Sequence, residues 1–427
     1  MKRGELLRQL EADVLGDALG PVYGREAGAA RERLRELVEE FAGAFPCGGD
    51  TELLLFSTPG RTELGGNHTD HQRGRALAAS VNLDTIACVA PNGGRMIRIK
   101  SRHHRMAEVD LEDLGIHPEE RGNSVALVRG VAARLRQLGY DIGGFDAYTT
   151  TRVLRGSGLS SSAAFEVLVA TVMNHLFCAG GLSAAQIAQL GQYAENVYFG
   201  KPCGLMDQLS CATGGIIAID FSGEAEPALR RIQVDLDRYG HALCIIDTRA
   251  SHADLTADYA AITREMGQVA ACFGREVLGE VDYRRFRESI PLVRATCGDR
   301  AVLRALHFFH DDERVGLELE ALERGDFDGF LHYVRQSGRS SFMYLQNVSN
   351  YQESRCQPVA LLLAVAEDLL GGRGACRVHG GGFAGTIQAF VPLDLLEEFT
   401  VGMEAVAGRG ACHVLRFRDS GSVLLVG

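Results

Sequence analysis

Hydrophobic and polar positions in the first quarter of the chain follow the pattern of β-strands. The apolar run at 53–57 predicts a short buried strand, and the runs at 75–91 and 95–101 predict two more. Asn92-Gly93-Gly94 lies between these two runs, and such residues favour a tight turn joining two strands. The chain is therefore predicted to begin its core with a sheet.

Helical spacing appears in two later segments. Apolar residues between 125 and 138 recur every three or four positions, and Gly139 gives this predicted helix its end. A second amphipathic helix is predicted at 183–199, where Ser183 and Gln186 fit a capping box at its start. Strands and helices are thus interleaved, which indicates a mixed α and β protein.

The second half of the chain is mainly helical by its pattern. Two predicted strands, 214–221 and 242–247, come before it. The helical ranges that follow are 252–273, 299–323 and 356–370. A boundary at about 220–230 predicts two domains, 1–225 and 226–427, in an α+β arrangement with a cleft between them.

Length and charge narrow the possible functions. At 427 residues the chain exceeds what one hydrophobic core usually serves, which supports two domains. A net charge of −11 argues against a nucleic-acid or anionic-membrane partner, because both need clustered Lys and Arg. The sequence has no run of about 18 apolar residues and no signal-peptide pattern at its start. It indicates no obligate protein partner.

Cysteine usage predicts a reducing compartment. The 11 cysteines are an odd number, are widely scattered and include no C-x-x-C pair. This pattern favours reduced thiols in a cytoplasmic protein and argues against a structural zinc site.

The segment 155–177, RGSGLSSSAAFEVLVATVMNHLF, carries the strongest chemical signal. A glycine–serine turn leads directly into an apolar helix, so backbone N–H groups at the helix start can bind phosphate. No G-K-[S/T] follows, which excludes a Walker A loop, and Ser161 stands where a Rossmann motif needs its third glycine. The alternative is a capped loop before a core helix.

Two further stretches occur with this loop in a fixed order, STPGRTELGGNHTDH (57–71) before it and VHGGGFAGTIQAFV (378–391) after it. Together the three resemble the motifs of the GHMP kinases, and the first is similar to the galactokinase pattern P-G-R-V-N-L-I-G-E-H-T-D-Y. CGLMDQ (203–208) and AEN (194–196) extend the resemblance over nearly the whole chain. It implies a two-domain fold with the active site in the interdomain cleft, and it makes 380–385 a phosphate-side loop.

The resemblance also implies roles for individual residues. Asp207 matches the catalytic carboxylate, Arg61 the catalytic arginine, and Ser162 with Glu195 the magnesium ligands beside ATP. The implied sugar contacts are Asn67, His68, Thr69, Asp70, Gly204 and Tyr259, and the implied nucleotide loop is Gly156, Ser157, Gly158, Leu159, Ser160, Ser161 and Ser162. His103 and His104 are predicted to be surface residues, since neighbours on a strand point to opposite sides.

The implied activity is ATP-dependent phosphorylation of the C1 hydroxyl of D-galactose. Asn67 departs from the family, which has a glutamate there. A glutamate would repel a C6 carboxylate by about 4 kcal/mol at about 4 Å, whereas an asparagine permits it without requiring it, so galacturonate or another sugar stays open. A sensor that binds sugar and ATP without turnover is the other alternative. The intact GLSSSAA together with Arg61 and Asp207 argues against it.

Overall fold

Strands form two sheets in the computed structural model, which describes residues 1–12, 14–154, 156, 158–223, 227–250, 255–349, 351 and 354–427. In chain order the strands are β1 (Leu54–Gly65), β2 (Arg75–Pro91), β3 (Met96–Ser101), β4 (Met106–Asp110), β5 (Phe145–Thr151), β6 (Ile216–Asp220), β7 (Ala228–Ile232), β8 (His241–Asp247), β9 (Ala375–His379), β10 (Thr386–Pro392), β11 (Cys412–Leu415) and β12 (Val423–Val426). The first sheet has the order β12-β1-β2-β5-β3-β4; in addition, β6 pairs with β2 and β7 pairs with β6. The second sheet has the order β11-β8-β10-β9.

Helices cover these sheets. They are α1 (Arg3–Glu11), α2 (Gly16–Tyr23), α3 (Ala27–Ala44), α4 (Ser124–Gln137), α5 (Ser161–Phe177), α6 (Ala184–Tyr193), α7 (Met206–Thr213), α8 (Thr256–Ala271), α9 (Tyr283–Glu288), α10 (Ile290–Cys297), α11 (Asp299–Glu323), α12 (Phe327–Ser340), α13 (Pro358–Leu370) and α14 (Leu396–Ala407). Short π-helical turns at Ala194–Phe199 and Ser341–Leu345 follow α6 and α12. Of the helices in the described ranges, none is both long and apolar enough to cross a membrane.

Most of the predicted elements are confirmed. The helix predicted at 125–138 is α4, followed by Gly139 at φ 89°, and the capping box of Ser183 with Gln186 opens α6. The three helices predicted in the second half correspond to α8, α11 and α13. The combination of helices and largely antiparallel sheets confirms the α+β class. The helices that were not predicted are α1, α2, α3, α7, α9, α10, α12 and α14.

The pairing of the second and third strands differs from the predicted turn-linked pair. β5 lies between β2 and β3, antiparallel to the first and parallel to the second. Gly144, just before β5, enters the turn itself: its amide donates to Gly94 O at 2.8 Å, and Asn92 N donates to Gly144 O at 3.2 Å. The turn residues therefore hold the start of a third strand instead of closing a hairpin.

The first sequence motif lies on a buried central strand. β1 continues through Gly65, beyond the short strand predicted at 53–57, and every residue from 55 to 65 is buried. Its register with β2 shifts between Pro59 and Arg61 and again between Glu63 and Gly65. Such irregularities re-aim side chains next to functional sites, and here the segment between them carries Arg61.

The last strand of the chain belongs to the first sheet. β12 pairs antiparallel with β1, with Leu55 opposite Val426 and Ser57 opposite Val423. The second half of the chain therefore returns to complete a sheet that the first half begins. The domain boundary between 225 and 226 stays a prediction, and residues 224–226 lie outside the described residues.

Asp84 on β2 connects three distant parts of the chain. Its fully buried carboxylate accepts hydrogen bonds from Tyr23 Oη at 2.8 Å, Ser57 Oγ at 2.7 Å and Arg33 Nη1 at 2.9 Å. Arg418 Nη1 lies 3.5 Å from the same carboxylate. The N-terminal helices, the first sheet and the C-terminal segment thus share one buried charge.

Candidate active site

Arg61 and Asp207 form the centre of the site. Arg61 Nε and Nη2 lie 2.7 and 2.6 Å from Asp207 Oδ1, and Arg61 Nη1 donates to Gly158 O. Ser160 Oγ donates to the other carboxylate oxygen, Oδ2. A strand, a helix start and the phosphate loop thus meet at one carboxylate, whose side chain keeps a third of its surface exposed. The structure brings the two predicted catalytic residues together.

The Asp207 carboxyl is held in its ionised form. Burial acts to raise its pKa, but the charge of Arg61 and the hydrogen bond from Ser160 outweigh burial and lower the pKa below its usual value. Asp207 is therefore a weak base that carries its charge at neutral pH. It can orient a hydroxyl and accept its proton late in a reaction, once that hydroxyl has become acidic.

The glycine–serine loop ends at an uncapped helix start. Ser160 precedes α5 at φ 56° and ψ 57°, and its side chain makes no capping hydrogen bond. The first amide groups of α5, at Ser161 and Ser162, therefore stay available to an anion. Gly158 has φ 69°, and a Cβ there would lie 2.9 Å from His379 Nδ1, so the third motif packs directly on this loop. Ser157 lies outside the described residues. The Leu159 side chain is buried, so this residue can contribute only its backbone groups to the phosphate loop.

A hydroxyl and a carboxylate stand side by side at this helix start. Ser162 Oγ lies 3.4 Å from Glu195 Oε1, whose other oxygen accepts from Gln208 Nε2 at 3.0 Å. Lys201 Nζ also lies 3.1 Å from Glu195 Oε1. Hard oxygen donors beside a phosphate loop suit Mg²⁺, which takes its remaining ligands from phosphates and water. The residues present fit the ion.

A cavity of about 990 Å³ opens beside the loop. Ser161 and Ser162 line one end of it, and Thr149–Arg152 form part of its wall. His103 and His104, predicted as surface residues, are exposed and also line this cavity. No sequence signal points to this role, because the hairpin that carries the two histidines joins strands far from the motifs in the sequence. The volume is ample for a nucleotide.

Asp70 and Gly204 meet in the structure. A Cβ on Gly204 would lie 2.3 Å from Asp70 Oδ2, so a side chain at position 204 would collide with this carboxylate. Gly204 is three residues before Asp207 in the sequence. Both Asp70 and Gly204 were predicted sugar contacts, and the structure brings the two together.

The Asn67 side chain makes its hydrogen bonds to other residues of the protein. Its Nδ2 donates to Glu63 Oε1 at 3.0 Å and to Gly380 O at 2.7 Å, while its Oδ1 accepts from Asn347 Nδ2 at 2.8 Å. Asn67 is 1% exposed. A sugar group would have to replace one of these bonds, so its predicted contact with the sugar stays a prediction that this geometry does not favour.

Thr69 is also internal. It is fully buried, and its hydroxyl lies 2.8 Å from Gly66 O and 2.5 Å from Arg75 O. This arrangement closes the turn after β1. Its predicted sugar contact likewise stays a prediction.

His68 and Tyr259 both form hydrogen bonds to the glycine-rich stretch at 378–391. His68 Nε2 lies 3.1 Å from Gly381 O, and Tyr259 Oη donates to Gly382 O at 2.7 Å. Burial lowers the pKa of His68 to about 4, so its ring is neutral and donates to the carbonyl. The loop 380–385 thus contacts the sugar-side residues as well as Gly158 of the phosphate loop, whereas the sequence predicted only the phosphate side.

Known proteins resemble the chain in both sequence and structure. Two family models match, "GHMP kinases N terminal domain" at residues 126–215 and "Galactokinase galactose-binding signature" at residues 39–91. A galactokinase of Streptomyces coelicolor is 31% identical over 396 residues, which cover 91% of this chain and 95% of that protein.

Solved structures agree with these matches. The galactokinase of Lactococcus lactis, crystallised with galactose, is 25% identical with a TM-score of 0.78, over 92% of this chain and 99% of that one. A mevalonate kinase of Methanococcus jannaschii is 15% identical with a TM-score of 0.61, over 86% and 98% of the two chains, and shares the fold. The predicted catalytic pair and the glycine–serine loop occur here on the same fold.

Proposed function

We propose that this chain, which belongs to the galactokinase family of the GHMP kinases, transfers the γ-phosphoryl group of ATP to the C1 hydroxyl of D-galactose. Membership of the family makes it a sugar kinase. The galactose of the related Lactococcus lactis structure supports the choice of sugar. The single observation that carries the proposal is the contact of Asp207 with both Arg61 and Ser160 of the glycine–serine loop.

The transfer needs little basicity from the protein. The C1 oxygen forms its bond to the γ-phosphorus while the bond to the β-phosphate oxygen breaks, ADP leaves, and the hydroxyl proton passes to Asp207. Phosphoryl transfer has a loose transition state, so the hydroxyl becomes acidic as the new bond forms. An ionised Asp207 held by Arg61 and Ser160 is suited to orient that hydroxyl and take its proton late.

The nucleotide would occupy the cavity beside α5, with its phosphates on the amides of Ser161 and Ser162. Ser162 and Glu195 would hold Mg²⁺ there. When bound, the ion neutralises phosphate charge and fixes the phosphate geometry. These residues bind and orient the donor, whereas Asp207 handles the acceptor.

A sugar panel tests the proposal. ADP release is measured with galactose, galacturonate and glucose, with Mg²⁺ and after chelation, for the native chain and for Asp207→Asn. We expect galactose to be preferred, chelation to stop turnover, and Asp207→Asn to lose about 10²–10⁴ in rate while binding ATP normally. The phosphorylated product should also lose its reducing end, because C1 is blocked.

Four results would contradict the proposal or a part of it. A clear preference for galacturonate would change the sugar, and a product that keeps its reducing end would change the position of transfer. Binding of sugar and ATP without any ADP release would instead identify a sensor. Near-native turnover by Asp207→Asn would remove that residue from its assigned role.

A further inference from the structure

Lysine is rare in this chain. Of its 44 basic residues only Lys2, Lys100 and Lys201 are lysines, and the others are arginines. Lys2 pairs with the exposed Asp50 at 3.0 Å, and Lys100 donates to a backbone carbonyl. Lys201 is the one that lies in the candidate active site. A lysine ammonium is a compact point charge on a flexible stem, which differs from the planar arginine fork.

The backbone turns Lys201 back towards the site. After the π-helical turn Ala194–Phe199, Gly200 adopts φ 85°, and the amides of Gly200 and Lys201 both donate to Glu195 O, at 3.0 and 3.1 Å. Gly122 N donates to Phe199 O at 3.1 Å and ties the turn to the wall of the cavity. The backbone of Lys201 is therefore held in place, while its side chain can still change conformation.

The ammonium group stands on the open side of the metal-ligand pair. Its Nζ is 3.1 Å from Glu195 Oε1, the same oxygen to which Ser162 Oγ donates at 3.4 Å. The Glu195 side chain is 3% exposed, whereas that of Lys201 is 62% exposed. The Lys201 ammonium pairs with a buried carboxylate but is itself largely exposed. It can therefore contact a ligand that enters beside Ser162.

Arg61 is directed mainly at Asp207 in its present position. Two of its nitrogens are engaged with Asp207 and the third with Gly158 O, and its side chain is 7% exposed. Three of its five N–H donors are thus used inside the protein, and its main contact is with the carboxylate. A transferring phosphoryl group spreads negative charge over three oxygens, and a positive group beside them lowers the barrier.

We propose that Lys201 is a catalytic residue whose ammonium leaves Glu195 and binds the γ-phosphoryl oxygens of the nucleotide during transfer. The inference rests on the proposed function, since it assigns a residue to that same reaction. Arg61 is then a positioning residue that acts through Asp207. The exchange needs only a rotation of the exposed lysine side chain. Once the ammonium has moved, Glu195 is free to hold Mg²⁺.

Turnover of Lys201→Met is the first test. The variant keeps the length of the side chain and removes its charge, and Lys2→Met is the matched control at an exposed lysine–carboxylate pair. We expect Lys201→Met to lower kcat by about 10²–10³-fold without changing KM for the sugar, as for loss of one transition-state donor. Lys201→Arg should recover part of the loss, and Lys2→Met should behave as the native chain.

Calorimetric titration separates a phosphate contact from a structural ion pair. With Mg²⁺ present, Lys201→Met should bind AMPPNP more weakly than the native chain does, by about 10-fold, and should bind ADP equally well. Equal weakening of both nucleotides would show that Lys201 only supports Glu195, and this would overturn the inference, as would a native kcat in Lys201→Met. A native chain without sugar phosphorylation would overturn the proposed function, and the nucleotide titration would still decide the phosphate contact.

Discussion

Arg61 acts on the acidity of Asp207, and this effect can be measured. Burial raises the pKa of the Asp207 carboxyl, and Arg61 is the main group that lowers it. The native enzyme should therefore keep its activity down to a pH below the usual aspartate value of about 3.9. When Arg61→Met removes the opposing charge, burial dominates and the pKa rises.

The expected outcome is an acid limb of kcat/KM that moves to higher pH in Arg61→Met, in addition to a lower maximum. The pH dependence of kcat/KM reports the ionisation of the free enzyme, so this parameter is the one to follow. Lys2→Met is a control that leaves the site unchanged. Identical acid limbs in the native and variant enzymes would mean that Asp207 is not the titrating base.

Glu63 and Asn67 behave as one exchanged pair. The family pattern has asparagine and glutamate at these positions, and this chain has them in the reverse order. Here Glu63 Oε1 accepts from Asn67 Nδ2 at 3.0 Å and from the buried Arg377 Nη2 at 2.5 Å. One carboxylate and one amide are thus in direct contact in this chain.

This contact predicts a coupling between two substitutions. Glu63→Asn leaves Arg377 buried without its carboxylate, at a cost of about 3–5 kcal/mol in unfolding free energy. Asn67→Glu places two carboxylates together and should also destabilise, whichever sugar is the substrate. The double variant should unfold at lower cost than the sum of the singles, by about 1–3 kcal/mol in a denaturant double-mutant cycle. Simple additivity would contradict the pairing.

At the level of local elements, two segments approach closely where two of the proposed sugar contacts lie. Gly204 lies just before α7, and a methyl group there would collide with Asp70 Oδ2. Gly204→Ala should push Asp70 out of place and raise KM for the sugar by about tenfold or more, with little change in nucleotide binding. Gly28→Ala, on α3 with open space around it, is the matched control. An unchanged sugar KM in Gly204→Ala would place the sugar elsewhere.

The elements of the proposed site could be predicted because their signals are local. A glycine–serine turn before an apolar helix predicted the start of α5, and the capping box predicted the start of α6, since each depends on residues within a few positions. Asp207 and Arg61 were identified by motif, and the structure joins them across 146 positions. Their contact itself could not be read from spacing.

What the sequence did not predict depends on long-range pairing. The insertion of β5 between β2 and β3 is decided by strand partners that lie about 50 residues away in sequence, which a turn signal cannot report. The internal role of Asn67 depends on Asn347 and Gly380, which lie 280 and 313 positions later. His103 and His104 enter the cavity wall only because the sheet brings their hairpin beside α5.

For the protein as a whole, Asp84 is expected to be a major source of stability. It is fully buried and joins α2, α3, β1 and the segment around Arg418. Burial opposes its ionisation, but Arg33 and Arg418 lower its pKa below the usual value. Asp84→Asn should reduce the free energy of unfolding by about 3–5 kcal/mol, because it leaves the buried Arg418 and the half-buried Arg33 without their carboxylate partner.

The pH dependence gives Asp84 a second test. A carboxyl with a lower pKa in the folded state than in the unfolded state stabilises the fold above its unfolded pKa and loses this effect as pH falls through the folded value. Denaturant unfolding of the native chain should therefore show stability falling in acid, with a shallower fall in Asp84→Asn. Asp50→Asn, which alters an exposed pair, should follow the native curve.

The pairing of β12 with β1 has a consequence for biosynthesis. The ribosome makes β1 early and Val423–Val426 among the last residues of this sequence. One edge of β1 therefore has no partner strand while more than 350 further residues are synthesised. An exposed strand edge with apolar residues on it invites association with other chains. Nascent chains stalled before residue 423 should therefore bind holding chaperones, and should release them once the final strand has emerged from the exit tunnel.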